Sequence, residues 1–155
     1  MPESTLSEGL ARLGIELPPA PAPVASYIAS KIVGSQVFVS GQIPIIKGEL
    51  IARGLVPDEV DLETAQRCAK QCALNVLACA AAAAGGVEHI RSVVRLGVYV
   101  ACDRDYTDHP KVANGASDLM LELMGGAGRH TRAAVGVASL PLGAPVEIDA
   151  VIEVG

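Results

Sequence analysis

Residues 61–86, DLETAQRCAKQCALNVLACAAAAAGG, contain the most regular pattern in the chain. Apolar side chains recur there at intervals of three and four, which predicts one long amphipathic helix. Asp61 is suited to begin this helix as its N-cap, and Gly85-Gly86 is suited to end it. The stripe consists of Leu62, Ala65, Ala69, Cys72, Val76, Cys79 and Ala83.

Segments with a β-strand pattern lie on both sides of this helix. A hairpin is predicted before it, because Gly34-Ser35 suits a two-residue type II′ turn between two β-like runs. A third short strand is expected through residues 47–50. The predicted strands are Tyr27–Val33, Gln36–Ser40, Ile90–Ala101, Thr131–Ala138 and Val146–Val154.

A second helix is expected between the predicted strands Ile90–Ala101 and Thr131–Ala138. Asp108 or a neighbour would cap it, Pro110 would lie in its first turn, and Gly125–Gly128 would end it. Its apolar stripe runs from Val112 through Ala116 to Leu123. The order β-β-(β)-α-β-α-β-β predicts a two-layer α+β fold, with the helices packed on one face of a mixed sheet.

The N-terminus is interpreted as an arm over residues 1–21, attached to a main domain over residues 22–155. Leu6, Leu10 and Leu13 have the spacing of a short amphipathic helix within residues 1–17. The proline-rich stretch Leu17–Pro23 cannot be helical and is expected to be extended. A total of 155 residues is otherwise the size of one domain.

Composition excludes several classes of partner. The net charge of −5 argues against a nucleic-acid-binding face, since such faces are basic. No signal peptide or membrane-spanning stretch is evident, so a cytoplasmic protein is expected. The mean hydropathy of +0.40 is high for a small soluble monomer and favours a buried subunit interface.

The cysteines and histidines do not form a recognisable metal motif. Cys68, Cys72 and Cys79 fall on the predicted long helix, where free cysteine is more often a small buried hydrophobic residue than a ligand. The three histidines show no ligand spacing and are expected on the surface or in loops. No metal site is therefore predicted.

Two groups of polar residues near the C-terminus are candidates for chemistry. Arg132 begins a strand whose same-face neighbours are small, namely Ala134, Gly136 and Ala138, which leaves room for a carboxylate beside the guanidinium. Glu147 lies on the polar face of the last strand with Asp149 and Glu153, where it could orient or deprotonate water. For both groups, an ordinary solvated surface is the alternative interpretation.

Arg132–Pro141 (RAAVGVASLP) followed by Val146–Ala150 (VEIDA) closely resembles the C-terminal signature of the RidA (YjgF) family. Ser40–Pro44 (SGQIP) is similar to the N-terminal hairpin of that family. The resemblance covers roughly residues 22 to 155, and the segment Asp103–Pro110 looks longer than in typical members. It implies a chorismate-mutase-like fold and a homotrimer with ligand pockets between subunits.

The same resemblance implies an activity: hydrolysis of reactive 2-enamines and 2-imines to a 2-keto acid and ammonia, without a cofactor. Arg132 stands at the position of the carboxylate-binding arginine, and Glu147 at that of the acidic residue that places the attacking water. Tyr27, Gly41 and Asn114 match substrate-pocket positions. Ala134 stands where many members have cysteine, which removes any thiol chemistry there.

Two other functions remain open at this stage. A non-catalytic trimer that binds or senses small carboxylates such as 2-keto acids would use the same Arg132 pocket. An endoribonuclease or translation inhibitor is a role associated with some relatives, but the negative charge and the scarcity of aromatic side chains weigh against it.

Overall fold

The computed structural model describes residues 3–23 and 25–155. Its main sheet has five strands in the order β1-β2-β7-β5-β6, and a separate two-stranded hairpin is formed by β3 and β4. The strands are β1 (Ser30–Val33), β2 (Gln36–Gln42), β3 (Ile45–Ile46), β4 (Glu49–Leu50), β5 (Ile90–Ala101), β6 (Thr131–Val137) and β7 (Val146–Val154). The helices are α1 (Leu6–Leu13), α2 (Leu62–Ala84) and α3 (His109–Met124).

The sheet is mixed, because β6 is parallel to β5 whereas the other neighbouring strands are antiparallel. Helices α2 and α3 pack against each other and against the same face of the sheet. The predicted α+β fold, with helices on one face of a mixed sheet, is confirmed.

Helix α2 has the predicted bounds and caps. The Asp61 carboxylate accepts a hydrogen bond from the Thr64 amide at 2.8 Å, and Gly85 ends the helix in the left-handed conformation at φ 92°. The apolar stripe from Ala65 to Cys79 is buried against the sheet, and its ends Leu62 and Ala83 are partly buried. It meets the inward side chains of β7: Val146, Ile148, Ala150 and Ile152. One face of the sheet is thereby closed, and we call it the helix face.

The opposite face of the sheet has no helix over it in the described residues, and we call it the open face. Side chains alternate between the two faces along each strand. Phe38 and Val135 on the open face are each 46% exposed, although both are large and apolar. The open face therefore carries exposed apolar surface, and the subunit interface expected from composition stays a prediction.

Several boundaries differ from the sequence predictions. Strand β1 begins at Ser30 rather than Tyr27, because its pairing with β2 ends at Ser30–Val39 and a bulge in β2 follows. Residues 47–50 do not form one strand: Lys47 (φ 51°) and Gly48 (φ 83°) make the turn between β3 and β4. Helix α1 is shorter than residues 1–17, because Gly14 ends it in the left-handed conformation.

Helix α1 is docked on α3. Leu6 is fully buried and Leu10 is 8% exposed. The backbones of α1 and α3 approach so closely that a Cβ on Gly9 would overlap the Leu123 carbonyl. The arm therefore contributes side chains to the core, while the division of the chain at residue 21 stays a prediction.

All four cysteines are free and buried in the core. Burial raises the pKa of the Cys68 and Cys79 thiols to about 11 and also raises the pKa of the Cys72 and Cys102 thiols. They therefore act as packing residues rather than as nucleophiles. In the described residues, no helix is both long enough and apolar enough to cross a membrane.

Gly115 allows α2 and α3 to pack closely, because a Cβ at this position would lie 2.2 Å from the Gln66 carbonyl oxygen. We expect Gly115→Ala to destabilise the fold by about 1–2 kcal/mol, although alanine is the better helix former. The urea midpoint of unfolding measures this change. Asp118→Ala, at an exposed site of the same helix, should change stability by less than ~0.5 kcal/mol. A Gly115→Ala protein as stable as the original would contradict the packing argument.

Candidate active site

Arg132 lies at the edge of the sheet, on the helix face and beside α3. Its register partner Leu96 on β5 is fully buried, which fixes the side of the sheet to which position 132 belongs. Pro110, Asn114 and Ser117 recur at helical spacing along the neighbouring face of α3. The guanidinium lies against this row, and Ala134 follows Arg132 on the same face of the strand.

The Arg132 guanidinium is held by neutral acceptors. Its Nη1 donates to Asn114 Oδ1 at 2.9 Å and to Ser117 Oγ at 3.0 Å, and its Nη2 donates to the Pro110 carbonyl at 3.4 Å. Arginine has five N–H donors, so Nε–H and one Nη2–H are left without an acceptor. No ion pair among the described residues involves this partly buried cation. The two unused donors and the uncompensated charge are therefore suited to a carboxylate.

A histidine supports this arrangement through Ser117. His130 Nδ1 donates to the Gly128 carbonyl at 2.7 Å, so Nε2 of the neutral ring must accept. The partner of Nε2 is the Ser117 hydroxyl at 2.8 Å, which donates its proton to the ring and uses its lone pair to accept from Arg132. Each donor and acceptor between Arg132, Ser117 and His130 is therefore assigned, and these hydrogen bonds fix the orientation of the guanidinium.

Glu147 belongs to a different part of the molecule, the open face of the sheet near β2. Between Val39 and Gln42 the strand contains a bulge, so Ser40 and Gly41 together oppose Asp149. The bulge brings Gly41 against the Glu147 side chain, and a Cβ at position 41 would lie 2.8 Å from the carboxylate carbon. Glycine at this position thus leaves space for the carboxylate.

A small cavity of about 50 Å³ adjoins Glu147. Tyr27, Gly41 and Glu147 line it together with the proline-rich segment at residues 21–23. A water molecule needs roughly 10–15 Å³ of such space, so the cavity has room for a few waters but not for an amino acid. Its shape in the single chain fits a site for water.

The loop on one side of this cavity is fixed by a buried amide. Asn75 on α2 is fully buried, and its Nδ2 donates to the carbonyls of Ile43 and Ile45, both at 3.1 Å. Its Oδ1 accepts from Gln71 Nε2 at 3.1 Å. The amide is thereby satisfied, and it attaches the Gly41–Ile45 loop to the core.

Burial raises the pKa of the Glu147 carboxyl, and the nearby charge of Asp149 raises it further. Asp149 itself accepts from the Tyr99 hydroxyl at 3.0 Å and pairs with Arg95 at 3.5 Å. A carboxyl with a raised pKa is a better proton donor and acceptor near neutral pH than an ordinary glutamate.

The six predicted site residues thus form two clusters. Arg132, Asn114 and Ala134 lie along α3 and β6, whereas Tyr27, Gly41 and Glu147 surround the water-sized cavity. Strands β6 and β7 lie on either side of β5, and Arg132 and Ala150 pair with the same β5 residue. Ala150 is three residues from Glu147 along β7. Strand spacings place the Cα atoms of Arg132 and Glu147 about 14 Å apart, with side chains on opposite faces. A single chain therefore does not bring the two residues together.

The model of the family described as "YjgF/chorismate_mutase-like, putative endoribonuclease" matches residues 7–152. The chain belongs to the RidA (YjgF) family. It is 42% identical to protein TCP17 of Trypanosoma cruzi over 149 residues, which cover 96% of this chain and 93% of that protein. It is 29% identical to the 2-iminobutanoate/2-iminopropanoate deaminase of Dermatophagoides farinae, covering 89% of this chain and 93% of that one.

The fold is shared with a solved RidA structure: the crystal structure of RidA from the Antarctic bacterium Psychrobacter sp. superposes with a TM-score of 0.62 at 28% identity, covering 87% of this chain and 94% of that chain. A protein of unknown function from Agrobacterium tumefaciens superposes with a TM-score of 0.87 at 42% identity, covering 97% of this chain and 92% of that chain. The resemblance inferred from the sequence is confirmed.

Sequence reasoning missed three polar residues beside the two candidate clusters: Ser117, His130 and Asn75. Ser117 lies three positions after Asn114, which is a spacing that places both on one helix face and could have identified it. His130 was expected on the surface or in a loop; it is a loop residue, but partly buried and hydrogen-bonded through both ring nitrogens. Asn75 interrupts an apolar helix, and a buried amide in such a place needs partners.

The raised pKa of Glu147 predicts a pH-dependent stability difference. In the ligand-free protein the ionised carboxylate is disfavoured, so stability falls as the pH rises from 4.5, the ordinary value, through the raised pKa. We expect Glu147→Gln to raise the Tm at pH 7–8. The gain should shrink toward pH 4, where the glutamate of the wild-type protein is protonated and, like the glutamine of the variant, uncharged. Thermal denaturation at several pH values measures it.

Glu49→Gln, in the exposed hairpin turn region, is the matched control for loss of one negative charge. A Glu147→Gln protein with the same or a lower Tm at every pH would show that the carboxylate has a stabilising partner.

Proposed function

We propose that this protein hydrolyses reactive 2-imino acids, and their enamine tautomers after conversion to the imine, to 2-keto acids and ammonia. The observation that carries the proposal is the partly buried Arg132, which is oriented by neutral acceptors and retains two unused N–H donors. A 2-imino acid presents a planar carboxylate next to its reacting carbon. The name of the deaminase relative supports the same substrate class.

Arg132 would bind the carboxylate through Nε–H and Nη2–H. Two parallel hydrogen bonds fix both the distance and the plane of the carboxylate, so the adjacent C=N carbon is held in one orientation. Asn114 and Ser117 keep the guanidinium in position while this happens. Ala134 provides space beside the bound group, since its side chain is a single methyl.

Glu147 would activate the water. The carboxylate accepts a proton from water as the oxygen bonds to the carbon of the protonated imine, and a neutral carbinolamine forms. The carboxyl then returns this proton to nitrogen. As the C–N bond breaks, the carboxylate accepts the hydroxyl proton, so a 2-keto acid and ammonia leave and the carboxyl releases its proton to solvent. One water enters for each ammonia released, and the raised pKa of Glu147 suits these proton transfers. The chemistry needs no cofactor.

The two clusters would meet across a subunit boundary. Arg132 of one copy and Glu147 of the next form a complete site only if the interface joins different surfaces of the two copies. Interfaces of this kind close into rings, and a homotrimer with three intersubunit pockets is the arrangement we propose. The exposed apolar side chains Phe38 and Val135 on the open face supply apolar surface for such an interface.

Removal of the guanidinium tests the role of Arg132. Hydrogen bonds to a charged group contribute ~1.5–3 kcal/mol, so Arg132→Ala should lower kcat/KM for a 2-imino acid by about 10- to 150-fold. The imine is generated in situ with an amino-acid oxidase, and semicarbazide traps what the protein does not hydrolyse. Unchanged activity in a correctly assembled Arg132→Ala protein would refute the role. A wild-type protein that binds 2-keto acids but never accelerates hydrolysis would instead indicate a carboxylate binder or sensor.

Complementation between two inactive variants tests the shared site. Arg132→Ala and Glu147→Gln proteins are unfolded together, mixed equally and reassembled. A site is then complete when its arginine comes from one variant and its glutamate from the other, which random mixing gives for about a quarter of sites. We expect the mixture to recover about a quarter of wild-type activity. No recovery in mixed assemblies would show that each site uses residues of one chain.

A ribonuclease function has less support in this chain. The net charge is −5, and the whole sequence contains three tyrosines, one phenylalanine and no tryptophan. Proteins that bind single-stranded RNA combine basic grooves with aromatic stacking surfaces, and this composition supplies neither in quantity.

A further inference from the structure

A second arginine lines the same space as Arg132. The groove beside β6 is lined by Ser117, Leu121, Arg129, His130 and Arg132, and it has a volume of about 390 Å³. This is within the range of small-molecule sites. No acidic residue is among the lining residues, although the protein as a whole carries a net charge of −5.

Arg129 is exposed, and its guanidinium has no partner in the described part of the fold. Arg104 shares this property, whereas the other arginine side chains donate a hydrogen bond, as Arg67 does to Thr64 and Arg91 does to the Glu88 carbonyl. In residues 3–23 and 25–155, no hydrogen bond or ion pair involves the Arg129 guanidinium. Its backbone is fixed nonetheless, because its amide donates to the Gly126 carbonyl at 3.1 Å at the end of a short 3₁₀ turn.

The groove therefore contains two uncompensated positive charges. His130 lies between the two arginines in sequence and adds no charge in its neutral form, since its Nδ1–H donates to the Gly128 carbonyl and its Nε2 accepts from Ser117. A ligand with one carboxylate would neutralise only Arg132. A ligand with a second carboxylate would neutralise both guanidinium groups, each through charge-assisted hydrogen bonds.

We propose that the preferred substrates are 2-imino acids whose side chain ends in a second carboxylate, with Arg132 binding the carboxylate beside the imine and Arg129 binding the distal one. This inference rests on the proposed function for the reaction, and it adds the substrate class. Arg129 is a specificity-determining residue in this arrangement and takes no part in the hydrolysis itself. Leu121 lines the groove as well and would contact the methylene groups between the two carboxylates.

A matched pair of substrates isolates the distal carboxylate. Oxidases convert glutamate and norvaline to five-carbon 2-imino acids that differ only in a terminal carboxylate or methyl group. We expect a higher kcat/KM for the imine of glutamate, and a loss of about 10-fold or more for it in Arg129→Gln. The same variant should change kcat/KM for the imine of norvaline by less than twofold.

Arg104→Gln is the control for loss of a positive charge elsewhere, because Arg104 is exposed and lines a different groove. It should leave the ratio between the two substrates unchanged. Equal rates for both imines, with no effect of Arg129→Gln, would overturn the inference while leaving the deaminase function intact.

Binding provides a readout that does not depend on catalysis. Calorimetry compares the affinities of the corresponding keto acids, 2-oxoglutarate and 2-oxopentanoate. We expect 2-oxoglutarate to bind at least about 10-fold more tightly, and we expect Arg129→Gln to remove this difference. If this preference is found but neither imine is hydrolysed, the assignment of Arg129 stands and the deaminase function fails. If 2-oxopentanoate binds as tightly as 2-oxoglutarate, the assignment of Arg129 fails.

Discussion

Only one face of the five-stranded sheet is covered by helices, and the position of every functional side chain follows from this. Residues with even numbers on β7, such as Val146 and Ile148, are buried under α2, so their neighbour Glu147 must project from the open face. On β6 the register with buried Leu96 places Arg132 on the helix face instead. A shift of one residue in either strand would reverse these assignments. The strand register that buries the core therefore also divides the candidate site into two clusters.

Around Arg132 the fold stabilises a cation without neutralising it. Asn114, Ser117 and the Pro110 carbonyl are dipoles, and together they satisfy three donors of the guanidinium while leaving its charge available. An acidic partner would have served the same structural purpose and cancelled the attraction for an anionic ligand. The neutral shell thus leaves the positive charge of Arg132 available to an anionic ligand.

Much of the fold could be predicted from periodicity. Helix α2, strand β5 and strand β7 have strong and uninterrupted patterns, and the structure reproduces their bounds. The bulge at Ser40-Gly41 could not be predicted, because it arises from pairing with β7 and leaves no local signal. The early end of the β1 pairing is a consequence of the same bulge.

The candidate site was predictable only in part. Arg132 and Glu147 were singled out from their strand patterns, and the resemblance of two short segments assigned their roles. Their separation across the sheet could not be predicted, because it depends on tertiary register. Ser117 and His130 are ordinary polar residues in the sequence, and their role becomes visible only when α3 is packed beside β6. Hydrogen bonds between residues that are distant in the chain leave no recognisable pattern in the amino-acid sequence.

Three residues in the wall of the Glu147 cavity lack a backbone hydrogen-bond donor. Pro21, Pro23 and Pro141 are among its lining residues, and a proline has no backbone N–H to offer. Tyr27 and Gln42 are the other polar side chains of the lining, besides Glu147. In the proposed reaction, each missing N–H is one group fewer that could occupy the lone pairs of the attacking water. The prolines would thereby favour a water whose hydrogens point toward Glu147, and they would influence the chemistry through hydrogen bonds that they cannot make.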